Sequence, residues 1–220
     1  MQTVPSILEK NPQDLFYQIN KLSPYFKRFQ IDIADGIFVP NKTVQIEEIK
    51  DSLIKDSLNK DCLFFDFHLM VKDYKTEIKK IEKLIKLIKV NLILIHFSVI
   101  LDFGFQISDF SSIPIGLTLN PQDQVDSLST HYSLNTIPYL QIMSVNPGFQ
   151  GSPFLPETLN KIEQLRNMGY RKEIFLDGAV NEKTISVILS KKYQPDFICP
   201  GSYLTKTKTL EENVKYLSKL

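Results

Sequence analysis

Apolar residues recur along this chain in two alternating rhythms. Short runs rich in β-branched and aromatic residues read as strands, and the longer segments between them carry apolar residues three and four apart, as helices do. Thr3 to Leu8 reads as the first strand. Asn11-Pro12-Gln13-Asp14 then opens a helix, with Asn11 as N-cap and Pro12 at the first helical position. Phe29 to Ala34 is the second strand, Ile46 to Leu58 a helix and Cys62 to Met70 the third strand. The most regular helical pattern follows, with Tyr74, Ile78, Ile81, Ile85 and Ile88 on one face and lysines and glutamates between them. A basic face of this kind can lie on a membrane, but Asp73, Glu77 and Glu82 dilute it, so it reads as a helix with one face on a sheet and one in water. Val90 to Phe97 is the fourth strand, followed by a short irregular stretch. Ile115 to Leu119 is the fifth, after which Pro121 opens a short helix. Tyr139 to Val145 is the sixth strand; its helix, Pro156 to Met168, is ended by Gly169. Glu173 to Leu176 and Asp196 to Cys199 are the last two strands, with helices over Glu182 to Lys191 and Thr209 to Leu220.

Eight strand-then-helix units with no low-complexity linker predict one domain over residues 1–220. Strands alternating with helices imply a parallel sheet. Units averaging under 30 residues fit a compact α/β fold of the (β/α)8, or TIM, barrel type. An open doubly wound sheet would carry a Gly-rich turn after its first strand. Here that position reads Ser6-Ile7-Leu8-Glu9, without glycine.

Composition narrows the function. Hydrophobic residues make up 43% of the 220, enough for a sizeable core. A net charge of +1 argues against nucleic acid as partner, because phosphate binding over a large area needs a basic excess. The two cysteines, Cys62 and Cys199, lie far apart in apolar runs, which suits a reducing compartment. The first residues lack a basic region followed by an apolar core, and no apolar run is long enough to span a membrane. A cytoplasmic protein with no membrane partner is expected.

In a barrel, chemistry collects at the C-terminal ends of the strands. Those ends offer Ser6; Asp32 and Asp35; Asp66 and His68; His96; Ser144, Asn146 and the loop from Pro147 to Gly151; Asp177-Gly178; and Gly201-Ser202. Asp32, His68 and Asp177 are metal-capable groups on different strands, and two carboxylates with an imidazole suit a borderline divalent ion such as Zn2+. Gly148, Gly151, Gly178 and Gly201 cluster at the late strand ends, where backbone N–H groups can approach a phosphate. Each residue also has a plainer reading. Asp35-Gly36 reads as a turn cap, His96 serves equally as a core histidine, and His131 lies in a polar loop open to water. No G-x-S-x-G, H-E-x-x-H or Walker motif is present.

These residues sit in blocks that resemble the ribulose-phosphate 3-epimerase family. The blocks are Pro5-Ser6-Ile7-Leu8, the run from Asp32 to Asn41, His68-Leu69-Met70-Val71, the run from Met143 to Phe149, Asp177-Gly178 and Gly201-Ser202, in the family's order. The resemblance implies a ribulose-phosphate-binding barrel that interconverts D-ribulose 5-phosphate and D-xylulose 5-phosphate in the pentose phosphate pathway. It implies Asp32 and Asp177 as the catalytic acid and base, and one divalent ion on Asp32, His68 and Asp177, most readily zinc, with manganese, iron or magnesium as alternatives. It places Ser6, His68, Met70 and Met143 against the substrate. Gly148, Phe149, Gln150, Gly151, Gly178, Ala179, Gly201 and Ser202 match its phosphate-gripping loops. The family is often oligomeric, so a homo-oligomer is expected. The chain departs from the family pattern at Gln30, where a metal-ligand histidine is usual, at Ala34 for methionine, at Ala179 for glycine and at Ser98 for the frequent glutamate. Two other readings stay open. Altered pocket walls at Ala34 and Ile37 leave room for an epimerase of a ketohexose phosphate such as allulose 6-phosphate; the loss of two pocket residues in one motif, at Gln30 and Ala34, leaves room for a diverged sugar-phosphate-binding barrel with weak or no turnover.

Overall fold

The computed structural model describes residues 1–55, 62–100 and 113–220. Its strands are β1 (Gln2–Thr3), β2 (Ser6–Ile7), β3 (Arg28–Ala34), β4 (Phe64–Met70), β5 (Lys89–His96), β6 (Ile115–Leu119), β7 (Tyr139–Met143), β8 (Glu173–Asp177) and β9 (Phe197–Cys199). All pair in parallel, in the order β1-β9-β8-β7-β6-β5-β4-β3-β2. The predicted first strand begins earlier and is cut in two at Val4-Pro5. Proline has no N–H to give to a ladder, so the ladders hand over around it. The N–H groups of Gln2, Val4 and Ser6 reach carbonyls of Asp196, Ile198 and Pro200, while the Pro5 carbonyl accepts from the Gln30 N–H at 2.8 Å. β1 and β2 are thus halves of one stave, one half on β9 and the other on β3, and they close the ring into a (β/α)8 barrel.

The helices lie outside. They are α1 (Pro12–Leu22), α2 (Ile46–Lys55), α3 (Tyr74–Leu84), α4 (Phe97–Ile100), α5 (Val125–His131), α6 (Asn160–Asn167), α7 (Glu182–Leu189), α8 (Ser202–Thr205) and α9 (Leu210–Leu217). Local chemistry sets several of their starts. Asn11 caps α1 by accepting from the Asp14 N–H at 2.9 Å, and Asn181 and Thr184 form a capping box at α7. Other expectations shift. Pro121 sits in a turn rather than a helix, because the Asp123 carboxylate takes the Asn120 N–H and the chain becomes helical only at Val125. Pro156–Leu159 is a 3-10 turn leading into α6. Ile85 caps the end of α3 and is 41% exposed, so Leu84 completes the buried face instead. The stretch expected to be irregular after the fourth strand begins as α4, and α8 was not expected. The part of the second predicted helix beyond Lys55 lies outside the described residues, as does most of the irregular stretch before Ile113.

Alternation along each strand sorts the side chains into two sets. Ile31, Ile33, Phe65, Phe67, Ile93 and Ile95 point outward into the main core beneath the helices. The inward set fills the barrel. Near its floor Arg28 stacks over Phe175 and Phe197, 5.2 and 5.0 Å from the ring centroids, and pairs with the buried Asp66 at 2.8 Å. Leu92, Leu94, Phe175, Phe197 and Cys199 form an apolar plug with Val4. Around and above it is a polar belt of Ser6, Gln30, Asp32, His68, His96, Thr118, Gln141 and Asp177, all buried. No helix among the described residues is long and apolar enough to cross a membrane.

Candidate active site

Parallel register brings the belt together. Ser6 lies beside Gln30, Asp32 beside His68, Met143 beside Asp177, and Asp177 beside Cys199. One oxygen of Asp32 accepts from the Ser6 hydroxyl at 2.7 Å. The other accepts from Gln30 Nε2 at 3.0 Å and lies 3.1 Å from His68 Nδ1. Asp177 Oδ2 accepts from Gln30 Nε2 at 2.8 Å and more distantly from Gln141 Nε2 at 3.4 Å, and it lies 3.5 Å from His68 Nδ1. Behind His68 stands His96, Nε2 to Nε2 at 2.9 Å, so a single proton lies between the rings.

Electrostatics separate these groups. Burial, and then the negative charge of Asp32, push the Asp177 carboxyl up to about 7. Burial, and then His68, hold the His96 ring well below its ordinary value, so it is neutral. Burial, and then the nearby carboxylates, push the Cys199 thiol well up, so it remains a thiol and gives its weak S–H to Gln30 Oε1 at 3.6 Å.

Asp32, His68 and Asp177 are all buried and offer ligand atoms within 4.8 Å of one another. Two carboxylate oxygens and one imidazole nitrogen, facing a common point, fit a divalent cation. Gln30 brings Nε2 to that same point, so the fourth corner is a hydrogen-bond donor rather than a ligand.

Every residue that the family resemblance puts at the site lines one pocket at the barrel mouth, from Ser6, Met70 and Met143 round to Phe149, Gln150 and Ser202. Glycine is required on its wall. Gly178 has φ 112°, and a Cβ there would sit 2.6 Å from Val145 Cγ2. Gly148 has φ 111°, and a Cβ would lie 2.8 Å from Val39 Cβ. Ala179 adopts φ 50°, the one positive value outside glycine among the described residues. Ser144 does not line the pocket. Its hydroxyl ties the β7 and β8 ends together through the carbonyls of Asp177 and Gly178, at 3.0 and 2.6 Å.

Other strand-end residues are structural. Asp35 accepts from the N–H groups of Ile37, Phe38 and Lys72, the turn-capping role expected of it. Asp66 lies a step below the mouth with Arg28, and Asn146 is exposed. His131 is exposed as expected, although it ends α5 rather than lying in a loop. Sequence reading missed Gln141 beside Asp177, Cys199 beneath Gln30, and Thr118 and Asn120 near His96. The available signal was strand alternation: Gln141 and Thr118 lie two residues before Met143 and Asn120, and so share their face.

The fold and the mouth together define a (β/α)8 barrel with a carboxylate pair, a metal-capable imidazole and glycine-lined loops at its C-terminal rim. Solved barrels agree on the fold. A mutant tryptophan synthase alpha-subunit from Pyrococcus furiosus superposes with a TM-score of 0.67 at 14% identity, over 100% of this chain and 98% of that one. KGPDC from Streptococcus mutans gives 0.57 at 9% identity, over 100% and 96%. At these identities the likeness is one of fold alone. Sequence goes further: residues 2–204 match the model of the ribulose-phosphate 3 epimerase family, and the chain belongs to that family. A protein of Methanocaldococcus jannaschii named ribulose-phosphate 3-epimerase is 30% identical over 197 residues, covering 86% of this chain and 77% of its own. Proteins of the same name from Encephalitozoon cuniculi and Helicobacter pylori are 30% and 27% identical, covering 86% and 94% of this chain and 82% and 92% of their own.

Proposed function

We propose that this protein inverts C3 of D-ribulose 5-phosphate to give D-xylulose 5-phosphate, and catalyses the reverse. The observation that carries this reading is the pairing of Asp32 and Asp177. They come from β3 and β8, on two sides of the mouth, and face each other over a pocket walled by glycine loops.

Inverting one carbon requires removing a proton from one face and delivering one to the other. Asp32 takes the C3 proton, the C–H electron pair passes into the adjacent carbonyl to form an enediolate, and Asp177 protonates the opposite face. In the ion-free site burial, and then Asp32, push the Asp177 carboxyl up to about 7, which sets the two acids apart; in the reverse reaction the roles exchange. Ser6 holds one oxygen of Asp32 in place, and Gln30 and His68 hold the other. Met70 and Met143, both buried, line the pocket with polarizable thioethers that exclude water. The phosphate sits against the loops around Gly148 to Gly151, Gly178-Ala179 and Gly201-Ser202, which line the pocket and whose glycines let the backbone come close to an anion. Asp32, His68 and Asp177 would hold a divalent ion, which would supply Lewis acidity.

The two positions that left a hexulose phosphate open lie off the pocket wall. Ala34 is buried with Val39 and Met70, Ile37 is 75% exposed, and neither lines the pocket. The test is a coupled assay of xylulose 5-phosphate formation on chelator-stripped protein, with and without Zn2+, Mn2+, Fe2+ or Mg2+. Turnover is expected, lowered on the order of 100-fold or more in Asp32→Asn and in Asp177→Asn. Turnover only on hexulose phosphates would transfer the reading to that substrate. Sugar-phosphate binding without turnover would make the chain a binding protein.

A further inference from the structure

Gln30 is fully buried and each polar atom of its side chain has a partner. The orientation of the amide follows from those partners. The Cys199 S–H needs an acceptor and meets Oε1, while the two carboxylates need donors and meet Nε2. The opposite orientation would set an amide oxygen against two carboxylate oxygens.

Two carboxylates this close in a dry interior repel, and a cation is one way to hold them. His68 Nδ1 carries at most one proton for both, at 3.1 and 3.5 Å. The Gln30 NH2 carries two, and its nitrogen lies 3.0 Å from Asp32 Oδ1 and 2.8 Å from Asp177 Oδ2. We propose that Gln30 is a positioning residue whose amide NH2 clamps Asp32 to Asp177 and keeps the pair in register across the mouth with no ion between them. The proposal rests on reading Asp32 and Asp177 as the acid–base pair.

The clamp also works against a bound ion. A cation at the common point must displace two N–H donors from charged oxygens, so this chain binds divalent ions less tightly than its three ligands alone would. The stripped site in return remains ordered.

Thermal melts in chelator of Gln30→Met, Asp32→Asn and the double variant test the clamp. Methionine keeps the length and removes both donors. Gln30→Met is expected to lower the Tm by about 5 °C or more, and to cost less than half as much in the Asp32→Asn background, where Nε2 no longer bridges two carboxyl groups. An equal loss in both backgrounds, or no loss in either, overturns the clamp. If Gln30→Met does not fold, adding Asp32→Asn must restore folding; a double variant that also fails to fold overturns the proposal. Titration with Mn2+ gives a second readout: Gln30→Met should bind about tenfold tighter than the unaltered protein, and weaker binding would instead make the amide oxygen a ligand. The melts decide the clamp whether or not the site binds an ion or turns over a sugar, so its failure is distinguishable from failure of the functional reading.

Discussion

Asp177 keeps its proton to about pH 7 because burial, and then the charge of Asp32, disfavour a second carboxylate. The sign of the consequence is fixed. Between the ordinary carboxylate value of 3.8 and about 7, the folded protein holds a proton that the unfolded chain releases. Stability of the stripped protein therefore falls as pH rises through that window and levels off above it. Asp177→Asn removes the group, so its Tm should change less over the same window; an identical pH profile in both proteins would contradict the assignment. At this scale the sequence disclosed the residues that end strands, Asp32, His68 and Asp177, because strand ends meet at a barrel mouth. It did not disclose the partners within the strands. A glutamine such as Gln141 in an apolar run gives no sign of which acid it will meet, and the choice of His96 between core and site depended on a 2.9 Å contact that spacing cannot supply.

The loop joining β8 to α7 shows how a strand delivers its site. Gly178 passes close to Val145 at a positive φ, and Ala179 follows with φ 50°. Gly178→Ala should cost about 2 kcal/mol or more, from strain plus overlap with Val145, and should raise KM for the sugar phosphate more than it lowers kcat. A urea titration with steady-state kinetics checks both. Ala179→Gly should act in the opposite direction, adding on the order of 1 kcal/mol by relieving the left-handed backbone; the same titration reads it. Elements with strong local chemistry were legible, as at Asn11 with Pro12 and at the β-rich run of β6. Elements set by tertiary contacts were not. α4 and α8 are too short to show a period, and Pro121 was a plausible helix start until Asp123 took the Asn120 N–H.

The floor of the barrel is filled by side chains from its strands. Arg28 is stacked on Phe175 and Phe197 and paired with Asp66, whose carboxyl burial pushes up to about 6 even against that pairing. Arg28→Met leaves Asp66 without its cation and should cost about 3 kcal/mol at pH 8. The loss should be smaller at pH 5, where Asp66 takes up a proton, and denaturant melts at the two pH values compare them. The barrel class was readable from the alternation of rhythms, because a parallel sheet with short crossovers has few compact forms. The cut at Pro5 was not, since a proline inside a short apolar run looks the same whether it breaks a strand or begins one.

That cut has a consequence for the order in which the molecule is made. The half-stave on β3 finds its partner early, but the half on β9 waits until Phe197–Cys199 has left the ribosome. At typical synthesis rates this delay is on the order of ten seconds. Until then the nascent sheet is an open ribbon with two unpaired edges, the situation in which neighbouring chains stick to one another. The active site spans the same seam, with Ser6 on one side and Asp177 and Gly201 on the other. The pocket and the protection of those edges therefore arise in one late step, and the site is complete only once the barrel has stopped being prone to aggregate.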